Sequence, residues 1–311
     1  MRLDVALVRK HPELSRRRAR DVIEKGQVSV EGAVSRLPGA MVSEKARLAW
    51  DPNRKALPRA RASLPLLWAD EALVIVDKPA GLLAVATSAG PEADEDTVLR
   101  RIKDYARHLN PRRPYVGLVH RLDRDTSGAL AFALSPAARD GLRALFRAHR
   151  IERRYVALVQ GQPRGDTGEI DLPIHEGYVS GRRRVAREDE EAMPALTRWR
   201  VLERFPAAAL LEVRLETGRQ HQIRLHLAHV GLPVLGDRVY SERPPARDRS
   251  PGRPPRHTPA RRLHLPVPRQ MLHARVLGLT HPLTGEAVRV ESPLPQDFRA
   301  VLEQMRRSRP R

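Results

Sequence analysis

The sequence predicts an α+β protein in which a small α/β module precedes a mixed, mainly antiparallel β-sheet with helices packed on it. Residues 1–50 show a helix–helix–strand pattern, and the second helix is basic. Residues 51–64 are rich in Pro, Arg and Ala and have no apolar period, which is typical of a linker. From residue 65 onwards, short apolar runs alternate with amphipathic segments. We therefore expect a module at 1–50, a linker at 51–64 and one large domain at 65–311.

The chain is strongly basic. Its 311 residues include 57 Lys and Arg against 37 Asp and Glu, a formal net charge of +20 at pH 7. Such a field favours a polyanion, because neutralising phosphates releases condensed counterions. An anionic membrane is the other class of partner, but no apolar run approaches the roughly 18 residues of a membrane span. We therefore expect nucleic acid as the partner and no membrane. Aromatic residues make up only 4%, which disfavours the stacking of many successive bases.

Several classes of site are excluded or disfavoured by composition and spacing. The chain has no cysteine, which excludes disulfides, thiolate zinc sites and cysteine nucleophiles. Its 12 histidines do not combine with carboxylates at metal-ligand spacing, and neither a glycine-rich phosphate loop nor a Gly-x-Ser-x-Gly motif is present. The N-terminal segment lacks the apolar region of a signal peptide. We expect no metal, no cofactor and a cytoplasmic location.

The N-terminal module contains a basic helix. Leu3 and Leu7 share one face of a first predicted helix, and Ser15 is a typical N-cap for a second helix that ends at Gly26. The basic residues of the second helix are Arg16, Arg17, Arg18, Arg20 and Lys25. Most charge runs are solvated faces, but five basic residues on one short helix favour a phosphate-binding surface. Residues 27–30 alternate like a short strand and lead into a turn.

The large domain is predicted to alternate strands with helices. Strands are expected at 73–76, 129–134, 154–159, 198–201, 211–215, 274–276 and 287–290, and helices from 96 or 97, from 135, from 216 to 230 and from 295 to 305. The strand at 129–134 places its larger side chains, Leu130, Phe132 and Leu134, on one face, which needs more space in the core than the other face. Ser135 followed by Pro136 is a typical helix start.

Two segments of the large domain have no apolar period. Residues 179–192 are charged, and we expect them to form a mobile hairpin. Residues 242–269 contain many Pro and Arg, so we expect a flexible insertion there.

The segment 120–128 (HRLDRDTSG) is a charged loop directly before the strand at 129–134. Loops on a rigid scaffold often carry function, although a solvated, salt-bridged turn is the simpler interpretation. An Asp held near Arg stays ionised at neutral pH, because the opposite charge lowers its pKa. An oriented carboxylate can act as a nucleophile or base at a sugar carbon. Asp123 and Asp125 both meet this description, and their spacing does not choose between them.

A second polar segment, 216–224 (ETGRQHQIR), enters the predicted helix that ends near residue 230. Ile223 and Leu227 lie on its apolar face at i and i+4. His221 and Arg224, at i and i+3, share a separate polar face.

Five groups of short segments carry a further signal in the order in which they occur. They are 77–81 (DKPAG), 120–128 (HRLDRDTSG), 154–155 (RY), 217–224 (TGRQHQIR), and 272–274 (LHA) with 281–285 (HPLTG). Together they resemble the RluA family of RNA pseudouridine synthases over nearly everything from 73 to 294. The N-terminal segments 14–16 (LSR), 19–20 (AR) and 26–32 (GQVSVEG) resemble the S-four RNA-binding domain.

The resemblance implies roles for individual residues. It makes Asp123, not Asp125, the essential catalytic carboxylate, with His120 and Leu122 in supporting positions. Arg121 would fill the gap left by a flipped uridine, or would act only as a phosphate clamp.

Two further roles fall on residues distant in the sequence. Tyr155 would pack against the target base, the alternative being an ordinary core aromatic. Arg224 would pair with Asp123, the alternative being a surface charge on a helix. Arg153 stands where the family often has Lys, which leaves Tyr155 intact.

The resemblance also implies the reaction and its substrate. We expect isomerisation of uridine to pseudouridine in structured RNA by base flipping, with Arg16, Arg17, Arg20 and Lys25 binding RNA. Bacterial large-subunit ribosomal RNA is the expected substrate, with transfer RNA as the alternative and a non-catalytic ribosome-assembly factor as a different class. A two-carboxylate glycoside hydrolase is opposed by the charge and by the scarcity of aromatic residues. We expect a monomer. Whether Asp123 attacks the sugar, attacks the base or removes a sugar proton stays open.

Overall fold

The computed structural model describes residues 1–35, 38–40, 42–54, 64–86, 95–179, 182–241, 257–258 and 266–308. It divides into two compact units. The first comprises Met1–Glu152 and Arg275–Pro293, and the second comprises Arg153–Ala274 and Leu294–Arg311. No helix in the described part of the chain is long and apolar enough to cross a membrane.

The elements are, in chain order, α1 (Leu3–Lys10), α2 (Arg16–Glu24), β1 (Val28–Val30), β2 (Ala33–Ser35), β3 (Leu48–Trp50), β4 (Leu66–Ala69), β5 (Leu73–Lys78), α3 (Val98–Leu109), β6 (Gly117–Leu118), β7 (Ser127–Ala133), α4 (Pro136–Arg147), β8 (Glu152–Gln160), β9 (Gln162–Pro163), β10 (Thr167–Asp171), β11 (Ile174–His175), β12 (Ala192–Met193), β13 (Leu196–Phe205), β14 (Ala208–Leu215), α5 (Gln222–His229), β15 (His257–Thr258), β16 (Leu272–Thr280), β17 (Ala287–Glu291) and α6 (Gln296–Arg307). The predicted α+β class, with a largely antiparallel sheet, is confirmed.

In the first unit the strands follow the order β3-β1-β2-β17-β16-β7-β5-β4, and β6 also pairs with β7. Antiparallel pairing predominates, and β2 with β17 is a parallel pair centred on Val34 and Val288. Both of these valines are buried in the core that underlies β5 and β7. The N-terminal helices have a smaller core of their own, which includes Leu3, Leu7 and Ile23. The β2–β17 pair therefore joins the N-terminal segment to the sheet of its unit.

Strand β7 is buried along its whole length. Leu130 and Phe132 are fully buried, as the alternation predicts. The small residues between them are buried too, and Ala131 packs in the same core as Leu142 of α4. Alanine on this face lets a helix approach the sheet closely, so β7 is covered on both sides.

Side-chain caps start three helices where the sequence predicts them. The hydroxyl of Ser15 accepts the N–H of Arg18 at 3.1 Å. The hydroxyl of Thr97 accepts a backbone N–H in α3 at 3.1 Å, and that of Ser135 accepts one in α4 at 3.2 Å. Each bond satisfies a backbone donor that has no partner within the first helical turn.

The second unit contains an antiparallel sheet with the order β10-β13-β14-β8. Trp199 lies opposite Val213, and Val201 lies opposite Leu211, so the strands predicted at 198–201 and 211–215 pair with each other. Helix α6 buries Phe298 against this unit's core. Helix α5 packs on β13.

The predicted amphipathic character of α5 is wrong. Its residues from Gln222 to Ala228 are all buried, so Arg224 does not lie on an exposed polar face. His221 precedes the helix as its N-cap and has a left-handed φ of 58°. The polar residues buried in this stretch, Gln222, Arg224 and His226, are each hydrogen-bonded, as described below.

Much of the predicted linker and insertion lies outside the described residues. Of the linker, 51–54 and 64 are described, and of the insertion, 257–258 and 266–269 are described. Strand β15 pairs with β9 through its backbone. Within the segment 179–192, Val179 and Arg182 exchange backbone hydrogen bonds at 2.9 and 3.0 Å, and the mobility of this predicted hairpin stays a prediction.

Replacing Gly236 by Ala should lower the free energy of unfolding by about 3 kcal/mol. Gly236 has φ +76°, and a Cβ there would overlap the backbone carbonyl of Arg269. The left-handed φ costs about 1 kcal/mol and the overlap about 2 kcal/mol more. Urea denaturation measures the loss. Gly285→Ala is the matched control, because Gly285 has φ +74° with open space around it, and should cost only about 1 kcal/mol. Equal losses in the two variants would contradict the steric argument.

Candidate active site

The charged segment 120–128 meets the end of β5 in the first unit. Strand β5 pairs with β7 in a register that sets Lys78 opposite Gly128. Gly128 has a φ of 114°, which favours glycine where the charged segment turns into β7. The Lys78 side chain is fully buried beneath the loop.

The Lys78 ammonium donates to three backbone carbonyl oxygens. They belong to Pro79 at 2.8 Å, Leu82 at 2.6 Å and Arg124 at 2.7 Å. An ammonium group has three donors, and these bonds use all of them. The Gly81 N–H also donates to the Arg124 carbonyl, at 3.0 Å. The residue after Asp123 is therefore tied to β5 and the loop that follows it.

His120 and Leu122 anchor the start of the same segment. The Ala131 N–H donates to His120 Nε2 at 2.9 Å, and the imidazole ring lies 4.9 Å from the ring of Phe146. Leu122 is buried. His120 thus holds the loop against β7 and α4.

The two aspartates differ in exposure. Asp123 is half-buried, whereas Asp125 is exposed. The Thr126 N–H donates to the Asp123 carbonyl at 3.2 Å and closes a turn around the residues between them. Arg124 is exposed and pairs with Glu95 at 3.1 Å. Arg121 is exposed, and its guanidinium forms no ion pair within the described ranges.

In the second unit, Arg224 and Asp237 form a buried ion pair. Arg224 Nε donates to Asp237 Oδ2 at 2.6 Å and a second guanidinium nitrogen donates to Oδ1 at 3.0 Å. The two side chains are 7% and 0% exposed, so the surface-charge interpretation of Arg224 is wrong. Burial opposes ionisation of Asp237, but the charge and hydrogen bonds of Arg224 and the N–H groups of Val239 and Tyr240 outweigh it and lower its pKa.

Gln222 holds the segment that precedes α5. Its carbonyl oxygen accepts from the Thr217 hydroxyl and the Arg219 N–H, both at 2.9 Å. Its amide donates to the Leu196 carbonyl at 3.0 Å and to the Thr197 hydroxyl at 3.1 Å. All four hydrogen-bonding positions of this buried amide are used, which attaches the segment to β13.

His226 extends this network. The ring lies 2.9 Å from both the Thr197 hydroxyl and the Leu172 carbonyl. The carbonyl can only accept, so Nε2 carries the proton and Nδ1 accepts from the hydroxyl. Burial lowers the pKa of His226 to about 4, which is consistent with this neutral ring.

Tyr155 lies on β8 opposite Val213 and is buried. Its burial is compatible with both interpretations, a base-packing tyrosine and a core aromatic. Arg153, two residues earlier, donates to the carbonyls of Leu215 and Glu216 at 3.3 and 2.9 Å. It thereby attaches β8 to the segment that leads into Gln222.

The basic residues of α2 are organised by two carboxylates. Asp4 is fully buried and accepts from Arg2 at 3.0 Å and from Arg20 at 2.9 Å, while Arg16 lies 3.5 Å away. Burial opposes ionisation of Asp4, but these arginines outweigh it and lower its pKa to about 2.

The other carboxylate, Asp21, pairs with Lys25 at 2.7 Å and with Arg18 at 3.5 Å. Arg17 is exposed and forms no ion pair in the part of the chain that the structure describes. Arg17 is therefore the α2 guanidinium most available to an external anion.

Comparisons with known proteins bear on both units. A family model described as RNA pseudouridylate synthase matches residues 72–229, and an S4 domain model matches residues 1–48. The chain is 37% identical to a ribosomal large subunit pseudouridine synthase D from Pseudomonas aeruginosa, over 99% of this chain and 93% of the relative. It is also 37% identical to a protein of that name from Nitrosomonas europaea, over 98% of this chain and 85% of the relative.

The chain belongs to the RNA pseudouridylate synthase family. It is therefore an isomerase that acts on RNA. The solved structure of human RNA pseudouridylate synthase domain containing 4 is similar, with a TM-score of 0.60 at 25% identity over 78% of this chain and 93% of that one. The resemblance seen in the sequence, including the S-four domain, is confirmed.

The structure places the predicted site residues of this pseudouridine synthase in both units. His120, Arg121, Leu122 and Asp123 lie in the first unit, and Tyr155 and Arg224 lie in the second. Arg224 is paired with Asp237; its predicted pairing with Asp123 stays a prediction. Of the predicted RNA-binding residues, Arg16 and Arg20 gather at Asp4, while Lys25 is held by Asp21.

Sequence reasoning did not assign roles to Lys78, Gln222, His226 and Asp237. Lys78 carried the clearest signal, because it follows the apolar run 73–76 and Asp77 directly. Asp237 shows a similar pattern, since it follows the apolar residues 232–235 and a glycine. Neither pattern names the partner, which lies elsewhere in the sequence.

Lys78→Met should destabilise the synthase by at least about 3 kcal/mol, because it leaves three buried carbonyl oxygens without their charged donor. Pseudouridine formation by the folded fraction should fall as well, since the Arg124 carbonyl loses its anchor. Thermal unfolding and turnover measure the two effects. Lys25→Met removes a half-buried surface ion pair and should cost only about 0.5 kcal/mol. Similar losses in the two variants would contradict the buried-anchor argument.

The Asp4 carboxylate should make the free energy of unfolding depend on pH in the acidic range. Its folded pKa of about 2 lies below its ordinary value of 3.8, so its stabilisation is complete above about pH 4. About 2 kcal/mol should be lost as the pH falls from about 4 to about 2. Denaturant unfolding between pH 5 and pH 2 measures this, and Asp4→Asn should reduce the slope. Asp21→Asn is the control, and an equal reduction in that variant would contradict the assignment to Asp4.

Proposed function

We propose that this pseudouridine synthase isomerises specific uridines of bacterial large-subunit ribosomal RNA, in the cytoplasm and as a monomer, with Asp123 as its essential catalytic carboxylate. The anchored position of the loop that carries Asp123 is the observation that supports this best. The substrate is suggested by relatives named as ribosomal large subunit pseudouridine synthases in two bacteria.

The proposed reaction needs no redox change and no group donor. The target uridine leaves its stack, which costs a few kcal/mol and least in loops and mismatches. The bond from C1′ to N1 breaks, the uracil turns, and C5 bonds to C1′. C5 then loses its proton and N1 gains one, so the composition of the nucleotide does not change.

The difference in exposure favours Asp123 over Asp125. Asp123 is half-buried in a turn whose next residue is held by Lys78, and a carboxylate with a fixed position is better suited to act on one sugar or base atom. Asp125 is exposed at the surface of the same turn. Arg121, also exposed, is proposed to occupy the space left by the flipped uridine.

Tyr155 and Arg224 keep the roles that family membership implies, packing against the base and partnering Asp123. For Arg224, the buried bidentate contact with Asp237 restricts the guanidinium to one orientation. Asp237 is thus proposed to position Arg224.

The N-terminal S4 domain is proposed to bind the phosphates of the substrate RNA. Three arginines converge on one buried carboxylate at Asp4, which leaves the cluster with net positive charge, and Arg17 extends the basic surface. Fixed guanidinium groups lose less conformational entropy on binding phosphate than free side chains do. This supports a folded RNA as the substrate.

Mapping pseudouridines in RNA from cells with and without this gene product tests the substrate. We expect one or more positions in large-subunit ribosomal RNA to lose pseudouridine. Loss confined to transfer RNA would overturn the ribosomal assignment while keeping the chemistry. No loss in any RNA would overturn the proposed function.

Asp123→Asn should abolish pseudouridine formation by removing the ionisable group while keeping the side-chain shape. RNA affinity should stay within about twofold of the unmodified protein, because the phosphate contacts proposed above are unchanged. Turnover on a large-subunit transcript and a filter-binding titration measure the two quantities. Asp125→Asn, two positions along the same turn, is the matched control and should retain most activity. Comparable turnover by Asp123→Asn would reject the assignment.

A further inference from the structure

Tyr178 is the most exposed aromatic side chain of this protein. The chain has 5 Tyr, 3 Trp and 4 Phe, all of them in the described residues. Only Tyr178 is mostly exposed, at 52%. An exposed tyrosine ring offers a π-face on which a base can stack.

The Tyr178 ring is held in one orientation. Its hydroxyl donates to Gln220 Oε1 at 2.6 Å. The Arg183 guanidinium carbon lies 4.5 Å from the ring centroid. Arg183 is itself fixed, because one of its nitrogens donates to the carbonyls of His175, at 3.1 Å, and Glu176. One face of the ring thus carries a cation, and the exposed fraction leaves the remaining ring surface open to solvent.

The ring also stands next to the segment that carries Arg224. Gln220 belongs to the segment 217–224, and the following residue, His221, lies 2.9 Å from the Tyr240 hydroxyl. That hydroxyl accepts the backbone N–H of Arg183 at 3.2 Å. The Tyr240 ring in turn lies under the Arg224 guanidinium, with 5.2 Å between the guanidinium carbon and the ring centroid. Tyr240 therefore contacts both the hairpin that carries Tyr178, through Arg183, and the guanidinium of Arg224.

The charge of the hairpin is divided along its length. Arg182 and Arg183 lie beside the Tyr178 end. The acidic residues of the hairpin fall mainly at 188–191. Glu190 among them forms a bidentate ion pair with Arg184, with both N···O distances at 2.5 Å. The aromatic end is thus the basic end, which suits a ligand that carries both a π-face and a phosphate.

We propose that Tyr178 and Arg183 form a stacking platform for one unpaired nucleotide of the substrate RNA. This inference rests on the proposed function, since the nucleotide belongs to the RNA that is modified. A ring already fixed by a hydrogen bond and a cation loses little freedom when a base stacks on it. A single platform agrees with the aromatic content of the chain, which is too low for a run of stacked bases.

A simpler structural role for Tyr178 would be to attach the hairpin to Gln220. Two substitutions separate the roles. Tyr178→Phe removes the hydroxyl bond and keeps the ring, whereas Tyr178→Leu removes the ring and keeps apolar bulk. Stacking predicts that only the leucine variant is impaired. Attachment through the hydroxyl predicts that both are impaired.

The direct test uses an oligouridine of about ten nucleotides with one 2-aminopurine, and a base-paired RNA duplex of the same length. Binding to the unmodified protein and to Tyr178→Phe should quench 2-aminopurine fluorescence through stacking. Tyr178→Leu should lose the quenching and bind the single strand about tenfold more weakly, with duplex binding unchanged. Leu202→Ala removes an exposed apolar side chain from β13 and should match the unmodified protein.

Three results would overturn the platform: quenching retained by Tyr178→Leu, equal losses for single strand and duplex, or equal impairment of the Phe and Leu variants. Turnover measurements distinguish a failure of the stacking platform from a failure of the proposed function. If the unmodified protein converts uridine in a large-subunit transcript, the function stands, and Tyr178→Leu should raise KM with kcat nearly unchanged. If it converts no uridine in any transcript, the proposed function fails, while the oligonucleotide result still decides the platform.

Discussion

The ammonium of Lys78 sets the most demanding constraint on the first unit. A fully buried cation is tolerated only when its donors are satisfied, and here they are satisfied by three backbone carbonyls. Two of these carbonyls belong to the loop after β5, and the third belongs to Arg124 in the charged segment 120–128. The hydrogen-bonding requirement of one side chain therefore fixes the backbone beside Asp123. The Lys78 ammonium needs several carbonyl oxygens that point at it from nearby backbone. This requirement excludes most other conformations of the segment 120–128.

The second unit uses the same physical principle with different groups. Arg224 and Asp237 neutralise each other in a bidentate pair, and Gln222 uses every donor and acceptor of its amide. Removing one partner from such a network leaves a buried polar group without compensation, at a cost of several kcal/mol for a charged group. The buried polar residues thus specify one arrangement of α5 against β13. This explains how α5 can bury Gln222, Arg224 and His226 within its stretch 222–228.

Part of the large positive charge of the chain is held in ion pairs. At Asp4 and Asp21, carboxylates hold the arginines and lysine of α2 in place, and the β13–β14 pair carries arginines matched with glutamates such as Glu212. Within the described residues, Arg17 of α2 and Arg121 of the segment 120–128 form no ion pair. At these places the basic side chains are positioned by an acidic neighbour, so part of the positive charge has an ordered geometry.

Local sequence patterns determined most of the elements and the family. The caps at Ser15 and Ser135 follow from contacts within a few residues. The strand β7 and the existence of the strands β13 and β14 follow from a period that each element displays on its own. The motifs identified the family because each is a short contiguous stretch of sequence that can be recognised without the fold. Tertiary structure alone decided the burial of α5 and the partner of Arg224. The partner of Arg224 is Asp237, 13 residues away, and the two groups meet only after folding. The same holds for Lys78 and the Arg124 carbonyl, which are 46 residues apart. Periodicity reports the polarity of a side chain but not whether a distant partner will satisfy it, and that partner determines whether a charge is buried or exposed.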